Sequence, residues 1–432
     1  MKHVPEVWAG PECSFLRVGD WACDQLALTG HQQRISDLDL LADLGVTAVR
    51  YPVLWGRTAR HREATDWAWA DRRLKRLADL GIRPIAGLLH HGFGPEGMDP
   101  LDPRWPERFG QYALEVARRY PSVTDFLPIN EPLTTARFAG LYGWWPPYGR
   151  THETFVRLVL AQAEAYVAAA RAIRSIRPDA RILVNEDLGR TMGGPGCGSR
   201  ARRDSDRRWL TFDLADGRVD ASHPWWSLLA TSPRNRRSLD ALRREPERPN
   251  VLGIDYYVTS DRYLDERLWH FPAETHGGDE AGPYADVEVV RVAGLEIAGF
   301  EACISETWAR YGHPVALTEV HLAGEPNDQV AWWEEAVAAA HRTAAGGVPI
   351  VGVTAWSAFG AFDWSSVLRR PSGSYATGCY APRADGQLEL TPLGRAVKST
   401  ALRESSDREP GWWRRMDRAL FDPEGGVAAR AA

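Results

Sequence analysis

Val123-Thr124-Asp125-Phe126-Leu127-Pro128-Ile129-Asn130-Glu131-Pro132 sets the reading of the whole chain. Ahead of it, Phe109, Tyr112, Ala113, Val116 and Tyr120 fall at i, i+3, i+4, i+7 and i+11, which is one face of an α-helix. Pro121 ends that helix, because proline cannot donate the next backbone bond. The apolar run at 123–130 is then short enough to be a buried strand, and it ends on Asn130 and Glu131. A helix, a stop, a strand and a polar tip form one unit.

The unit recurs in both directions. Strands are predicted at 6–12, 46–54, 83–90, 123–130, 181–186, 251–258, 314–320 and 350–358. Most gaps admit a helix. Phe300, Cys303, Ile304, Thr307, Trp308 and Tyr311 repeat the helical spacing before Gly312. Helices near 66–80 and 327–345 stop at Gly81 and Gly346, and Thr391-Pro392 reads as an N-cap with proline in the first turn. Strands alternating with helices imply a parallel sheet. Eight repeats imply a closed (β/α)8 barrel, a TIM barrel of the α/β class, over residues 1–403. Residues 404–432 form a charged tail, read as a docked helix or the stump of a linker. Two insertions, 188–222 and 259–295, follow strands and so belong on the C-terminal face, where barrels build their sites.

Bulk properties narrow the class. A net charge of −5 gives no reason to expect nucleic acid or an anionic membrane as partner. Cys13, Cys23, Cys197, Cys303 and Cys379 are odd in number and lack metal spacing, which points to free thiols. The first residues carry no apolar signal core, and no run is long enough to span a bilayer, so a cytoplasmic location is expected. The 19 Trp suit stacking on sugar rings, although packing also uses them. No Gly-rich phosphate loop follows a strand, and no His/Asp/Glu set has metal spacing, so neither cofactor nor metal is expected.

Polar residues at strand ends face a barrel's site. Read in order, they include Arg50, His90, Asn130, Glu131, Tyr257, Glu319, Trp356, Asp363 and Trp364. Glu131 and Glu319 close apolar runs on the fourth and seventh strands, across the barrel mouth. Two carboxyls about 5–5.5 Å apart suffice to protonate a leaving oxygen and attack an anomeric carbon. Glu186 sits in a second Asn-Glu pair but on the fifth strand and without the proline, which suggests a structural role.

Ile129-Asn-Glu-Pro132 and Leu317-Thr-Glu319 resemble the acid/base and nucleophile segments of clan A glycoside hydrolases. The resemblance is nearest to glycoside hydrolase family 1, the β-glucosidases and β-galactosidases. Arg50-Tyr-Pro-Val-Leu-Trp-Gly-Arg57 is similar to its RFSxxWxR segment, and Leu89-His90 to its third-strand histidine. Gly253-Ile-Asp-Tyr-Tyr257 resembles GxNYY, and 356–364 resembles WSxxDNFEW. The resemblance implies a retaining, exo-acting β-glycosidase with Glu131 as acid/base, Glu319 as nucleophile and Tyr257 bonded to it. It implies that Trp356, Asp363 and Trp364 line the glycone pocket, with a glycoside as the small-molecule partner. A transglycosidase passing the sugar to an acceptor, and a non-catalytic sugar-binding protein, are the competing readings. Departures also matter. Arg17 aligns with a sugar-binding glutamine, with Glu12 and Asp20 nearby, and suggests an anionic or modified glycone. Asp255 replaces asparagine, and Asp363 is one methylene shorter than the family's glutamate.

Overall fold

The structure is a computed structural model that describes residues 4–59, 65–279, 282–402 and 411–423. Eight parallel strands close into a barrel: β1 (Glu6–Gly10), β2 (Ala48–Pro52), β3 (Arg83–His90), β4 (Asp125–Asn130), β5 (Arg181–Asp187), β6 (Val251–Asp255), β7 (Val315–Val320) and β8 (Ile350–Trp356). β1 pairs with both β2 and β8, which closes the ring. Each strand lies inside its predicted segment or within a residue of it. The main covering helices are α1 (Asp37–Asp43), α2 (Ala68–Asp79), α3 (Trp105–Arg119), α4 (His152–Ile176), α5 (Pro233–Arg244), α6 (Gly299–Tyr311), α7 (Pro326–Ala345) and α8 (Pro392–Ala401).

The barrel interior is filled from below. Trp8, Ile85, Leu127, Leu183 and Val251 form an apolar layer around the axis. Gly352 makes room for it, because a Cβ there would stand 2.3 Å from the Trp8 ring. Beneath that layer, Asp125 is fully buried and accepts from Arg83 at 2.6 Å and from Arg181 at 2.6 Å. This plug leaves only the C-terminal end of the barrel open to hold polar side chains. Outside, the helices pack their apolar stripes on the strands, as with Phe109, Tyr112, Ala113 and Val116 of α3. Many Trp serve packing: Trp8, Trp105, Trp145, Trp332, Trp333 and Trp413 are almost fully buried.

The two insertions pair with each other. Thr191–Gly193 runs parallel to Arg262–Leu264, and the strand Arg262–Asp265 continues into a sheet with Gly282–Glu288 and His276–Asp279. Both insertions leave the C-terminal ends of β5 and β6, as expected of loops at the mouth. In the tail, residues 411–423 form two 3₁₀ turns, Trp412–Arg414 and Met416–Arg418, rather than a helix. Trp413 stands edge-on to Trp332 of α7 and donates to Glu335 at 2.9 Å. The rest of 404–432, apart from 411–423, lies outside the described residues. All five cysteines are buried free thiols. Among the described residues, no helix is long and apolar enough to cross a membrane.

Candidate active site

The strand tips bring three carboxylates together. One oxygen each from Glu131, Asp255 and Glu319 lies within 4.8 Å of the others, and all three residues are buried. The backbone aims them. Glu131 follows β4 in the left-handed region at φ 41°, a conformation that costs energy for a side-chain residue and needs support. Glu186 supplies it. Its carboxylate accepts from the Leu133 and Thr134 amides at 2.8 and 3.1 Å, tying down the turn that begins at Pro132. The Thr134 and Thr211 hydroxyls add bonds of 2.7 Å each. Glu186 therefore holds the loop that carries Glu131, in keeping with a structural reading of the second Asn-Glu pair.

Arg50 at the tip of β2 connects the cluster. Its Nη1 donates to Glu319 Oε1 at 2.9 Å and to the Thr318 carbonyl at 2.6 Å, and its Nη2 donates to Asn130 Oδ1 at 2.7 Å. Asn130 Oδ1 also accepts from Asn185, which donates to Asp255 as well. The Thr318 hydroxyl donates to the other Asp255 oxygen at 2.5 Å. Burial opposes the charge on Arg50, and Glu319 with Asp255 more than offsets it, so the guanidinium stays protonated. The three oxygens have the spacing of a cation site, yet the positive charge already placed among them is this guanidinium.

The two glutamates differ in their partners. The Tyr257 hydroxyl donates to Glu319 Oε2 while Arg50 holds Oε1. Burial and then the Glu319 charge push the Tyr257 hydroxyl far above its usual range, so it remains a donor. The Glu319 carboxyl is pushed up by burial and by Asp255, and pulled back by Arg50 and Tyr257. The Glu131 carboxyl is pushed up by burial and then by Glu319 and Asp255. Its charged-group neighbour is His91, whose Nε2 stands 3.6 Å away. Burial drives His91 down to about 3, so the ring is neutral and offers Glu131 no charge. Both carboxyls are held above the usual range, and of the two Glu319 has the Arg50 and Tyr257 donors that favour its anion.

A second wall stands beside this cluster. Trp356 at the end of β8 lies with the Arg50 guanidinium 4.4 Å over its ring and His90 stacked at 5.4 Å. Gly10 admits the indole, since a Cβ there would meet it at 2.5 Å. The indole Nε1 donates to Glu12 Oε2 at 3.2 Å. Asn130 and His90 are in contact at 3.3 Å. Trp364 is half-buried, edge-on to His91 at 5.5 Å and near Trp145, and its Nε1 is buried without a hydrogen-bond partner among the described residues.

The fold gathers Arg50, His90, Asn130, Glu131, Tyr257, Glu319 and Trp356 at one end of the barrel. Two residues are placed differently. Arg17 lies on an exposed hairpin, Phe15–Val18 with Trp21–Asp24, where it bonds the Asp20 carbonyl at 3.4 Å and faces Glu96 at 3.9 Å. The chain turns outward after Ser14, and the residue facing His90 and Trp356 is Glu12. Asp363 spends its Oδ1 on the Ser372 and Gly373 amides, at 2.7 Å each, and on the Ser372 hydroxyl at 2.9 Å. That oxygen anchors a loop. A third residue, Asp255, was legible only as a departure from GxNYY, and its place within the carboxylate cluster needed the fold.

No family profile matches the chain. Among curated proteins, it is 20% identical over 414 residues to β-glucosidase 42 of Arabidopsis thaliana, covering 84% of this chain and 82% of the relative. It is 22% identical over 374 residues to phospho-cellobiase of Klebsiella oxytoca, covering 78% and 77%. Among solved structures, the family 1 β-glucosidase from Thermotoga maritima superposes with TM-score 0.73 at 16% identity, covering 94% of this chain and 100% of that one. The same enzyme has been solved in complex with cyclophellitol, at the same TM-score and identity, over 94% of this chain and 99% of that one.

Proposed function

We propose that this chain, a divergent relative of the family 1 β-glucosidases, is a glycoside hydrolase that releases a terminal β-linked sugar with retention of configuration. The observation that carries the reading is the asymmetry of the carboxyl pair. Arg50 and Tyr257 bond Glu319, while Glu131 faces a neutral histidine within reach of the same centre. One group is then placed to serve as the acid and the other has the donors that favour an anion, which is the division of labour that glycoside cleavage needs.

The reaction follows from those states. Glu131 donates its proton to the departing glycosidic oxygen as Glu319 attacks the anomeric carbon. The result is a glycosyl-enzyme ester on Glu319 and a free alcohol. Arg50 and Tyr257 keep Glu319 ionised before the attack and hold its oxygens in place. Glu131, now a carboxylate, takes a proton from water as that water attacks the same carbon, and Glu319 leaves. Two inversions give net retention. The short separation of the carboxyl oxygens supports attack by the enzyme over attack by an interposed water. The substrate is a small glycoside, in keeping with the cyclophellitol and deoxynojirimycin complexes of the Thermotoga maritima β-glucosidase.

The test is the anomer released first. Proton NMR of wild-type enzyme acting on an aryl β-glucoside, with and without added methanol, is expected to show the β-anomer before mutarotation. Methyl β-glycoside is expected as a minor product. The α-anomer first would sink the retaining reading. Methyl glycoside with no free sugar would convert the protein from a hydrolase to a transglycosidase.

Asp255 gives a separate pH prediction. Its carboxyl is pushed up to about 7, chiefly by burial, and its charge in turn pushes up both Glu319 and Glu131. Asp255→Asn removes that charge and keeps the side-chain shape. Glu319 then ionises at lower pH and Glu131 loses its proton at lower pH. Both limbs of the kcat/KM profile are expected to move towards acid. An unmoved profile, or one displaced towards base, would show that Asp255 does not tune the pair.

A further inference from the structure

Acidic groups outnumber cationic ones around the site. Four buried carboxyl groups, Glu12, Glu131, Asp255 and Glu319, surround it, and among the described residues the arginine bonded to them is Arg50. Arg50 is committed to Glu319, Thr318 and Asn130. The two adjacent imidazoles add nothing, because burial lowers both His90 and His91 and leaves them neutral. Arg17, which would have helped, is out on the hairpin with its side chain 54% exposed.

Among the described residues, Glu12 has no cationic partner. It is 3% exposed. Its Oε1 accepts from the Ser14 amide at 2.8 Å and the Ser14 hydroxyl at 2.6 Å, and its Oε2 accepts from Trp356 Nε1 at 3.2 Å. These are neutral donors. Among the described residues its ion-pair partner is His90, at 3.8 Å and uncharged. A buried carboxylate satisfied only by neutral donors is costly to hold. At the other end of the barrel, Asp125 and Glu6 are paired with arginine. Glu12 is bonded to the indole whose ring carries the Arg50 guanidinium.

We propose that Glu12 selects a cationic glycone, a β-linked amino sugar whose ammonium group bonds the Glu12 carboxylate beside His90 and Trp356. The proposal rests on the glycosidase reading for the ligand being a glycoside. It replaces the expectation of an anionic sugar held by Arg17. The ammonium would donate to Oε2, which has a single protein donor, and would supply the charge that the pocket lacks. Transfer of that ammonium from water to a carboxylate already stripped of water accounts for the discrimination: a neutral hydroxyl in its place gains a weaker bond.

The test compares 3-amino-3-deoxy- and 4-amino-4-deoxy-glucose with glucose and with the N-acetylated forms of both amines. Binding to wild type and to Glu12→Gln is read by calorimetry, and kcat/KM is read on the matching 4-nitrophenyl β-glycosides. At least one free amine is expected to bind wild type roughly tenfold to a hundredfold more tightly than glucose and than its own N-acetyl form. Glu12→Gln is expected to erase that preference. Wild-type binding of the amines no better than glucose, or as good for N-acetyl as for free amine, overturns the proposal without any variant. A preference that survives in Glu12→Gln overturns it too. The binding arm needs no turnover, so an intact amine preference with no cleavage of any glycoside upholds the cation site and overturns the glycosidase reading alone.

Discussion

Glu319→Gly is expected to reduce turnover of an aryl β-glycoside by about a hundred-thousand-fold or more, the scale on which removing an attacking group acts. The side chain lost is the one that Arg50 Nη1 holds at 2.9 Å and that Tyr257 holds from the other side. With the carboxylate gone, both donors point into the space it leaves. The anomeric carbon then has no attacking group on that face, and water there lacks a base. Substrate affinity is expected to change far less than kcat, since Glu319 acts on the reacting carbon. A loss of only a few-fold would mean that another carboxylate carries the attack, and Asp255 would be the first to test, because its oxygen lies within 4.8 Å of the same centre.

Glu131→Ala should separate substrates by their leaving groups. Proton donation by a positioned acid is worth about 10²–10⁴-fold. Alkyl glycosides, whose alkoxide cannot leave unprotonated, are expected to lose activity on that scale. Activated nitrophenyl glycosides are expected to keep the first step and to accumulate the glycosyl-enzyme, because the base for the second step is also gone. A burst of nitrophenol followed by slow turnover is the readout. The alkaline limb of the wild-type profile reports loss of the Glu131 proton, which burial, Glu319 and Asp255 hold to high pH. That limb is expected to vanish in the variant on activated substrates. Equal losses on both leaving-group classes would remove Glu131 from the acid role.

Much of this was written in the local sequence. The eight strands follow from short apolar runs between helical patterns, and each run in a parallel barrel is buried on both sides, which makes it conspicuous. The carboxyl pair was legible because each acid closes such a run. What escaped depends on contacts between distant segments. Glu12 and Arg17 are five residues apart, and only the outward turn of the hairpin after Ser14 decides which faces Trp356. Asp363 reads as a pocket acid until the loop at 372–373 claims its Oδ1. The insertions acquire their sheet by pairing Thr191–Gly193 with Arg262–Leu264, some 70 residues on. Glu186 reads as structural from its strand and missing proline, but its service to the Glu131 turn is a matter of backbone amides that no residue pattern announces.

The central claim is that Glu319 attacks one face of the anomeric carbon and Glu131 serves the other. The most direct test is the configuration of the glycosyl azide formed when Glu319→Gly acts on an activated aryl β-glycoside in the presence of azide. The account predicts partial recovery of rate and an α-glycosyl azide, because azide enters the space left by the Glu319 carboxylate and inverts the carbon once. A β-glycosyl azide, or no recovery in a variant that still binds the sugar, would contradict it.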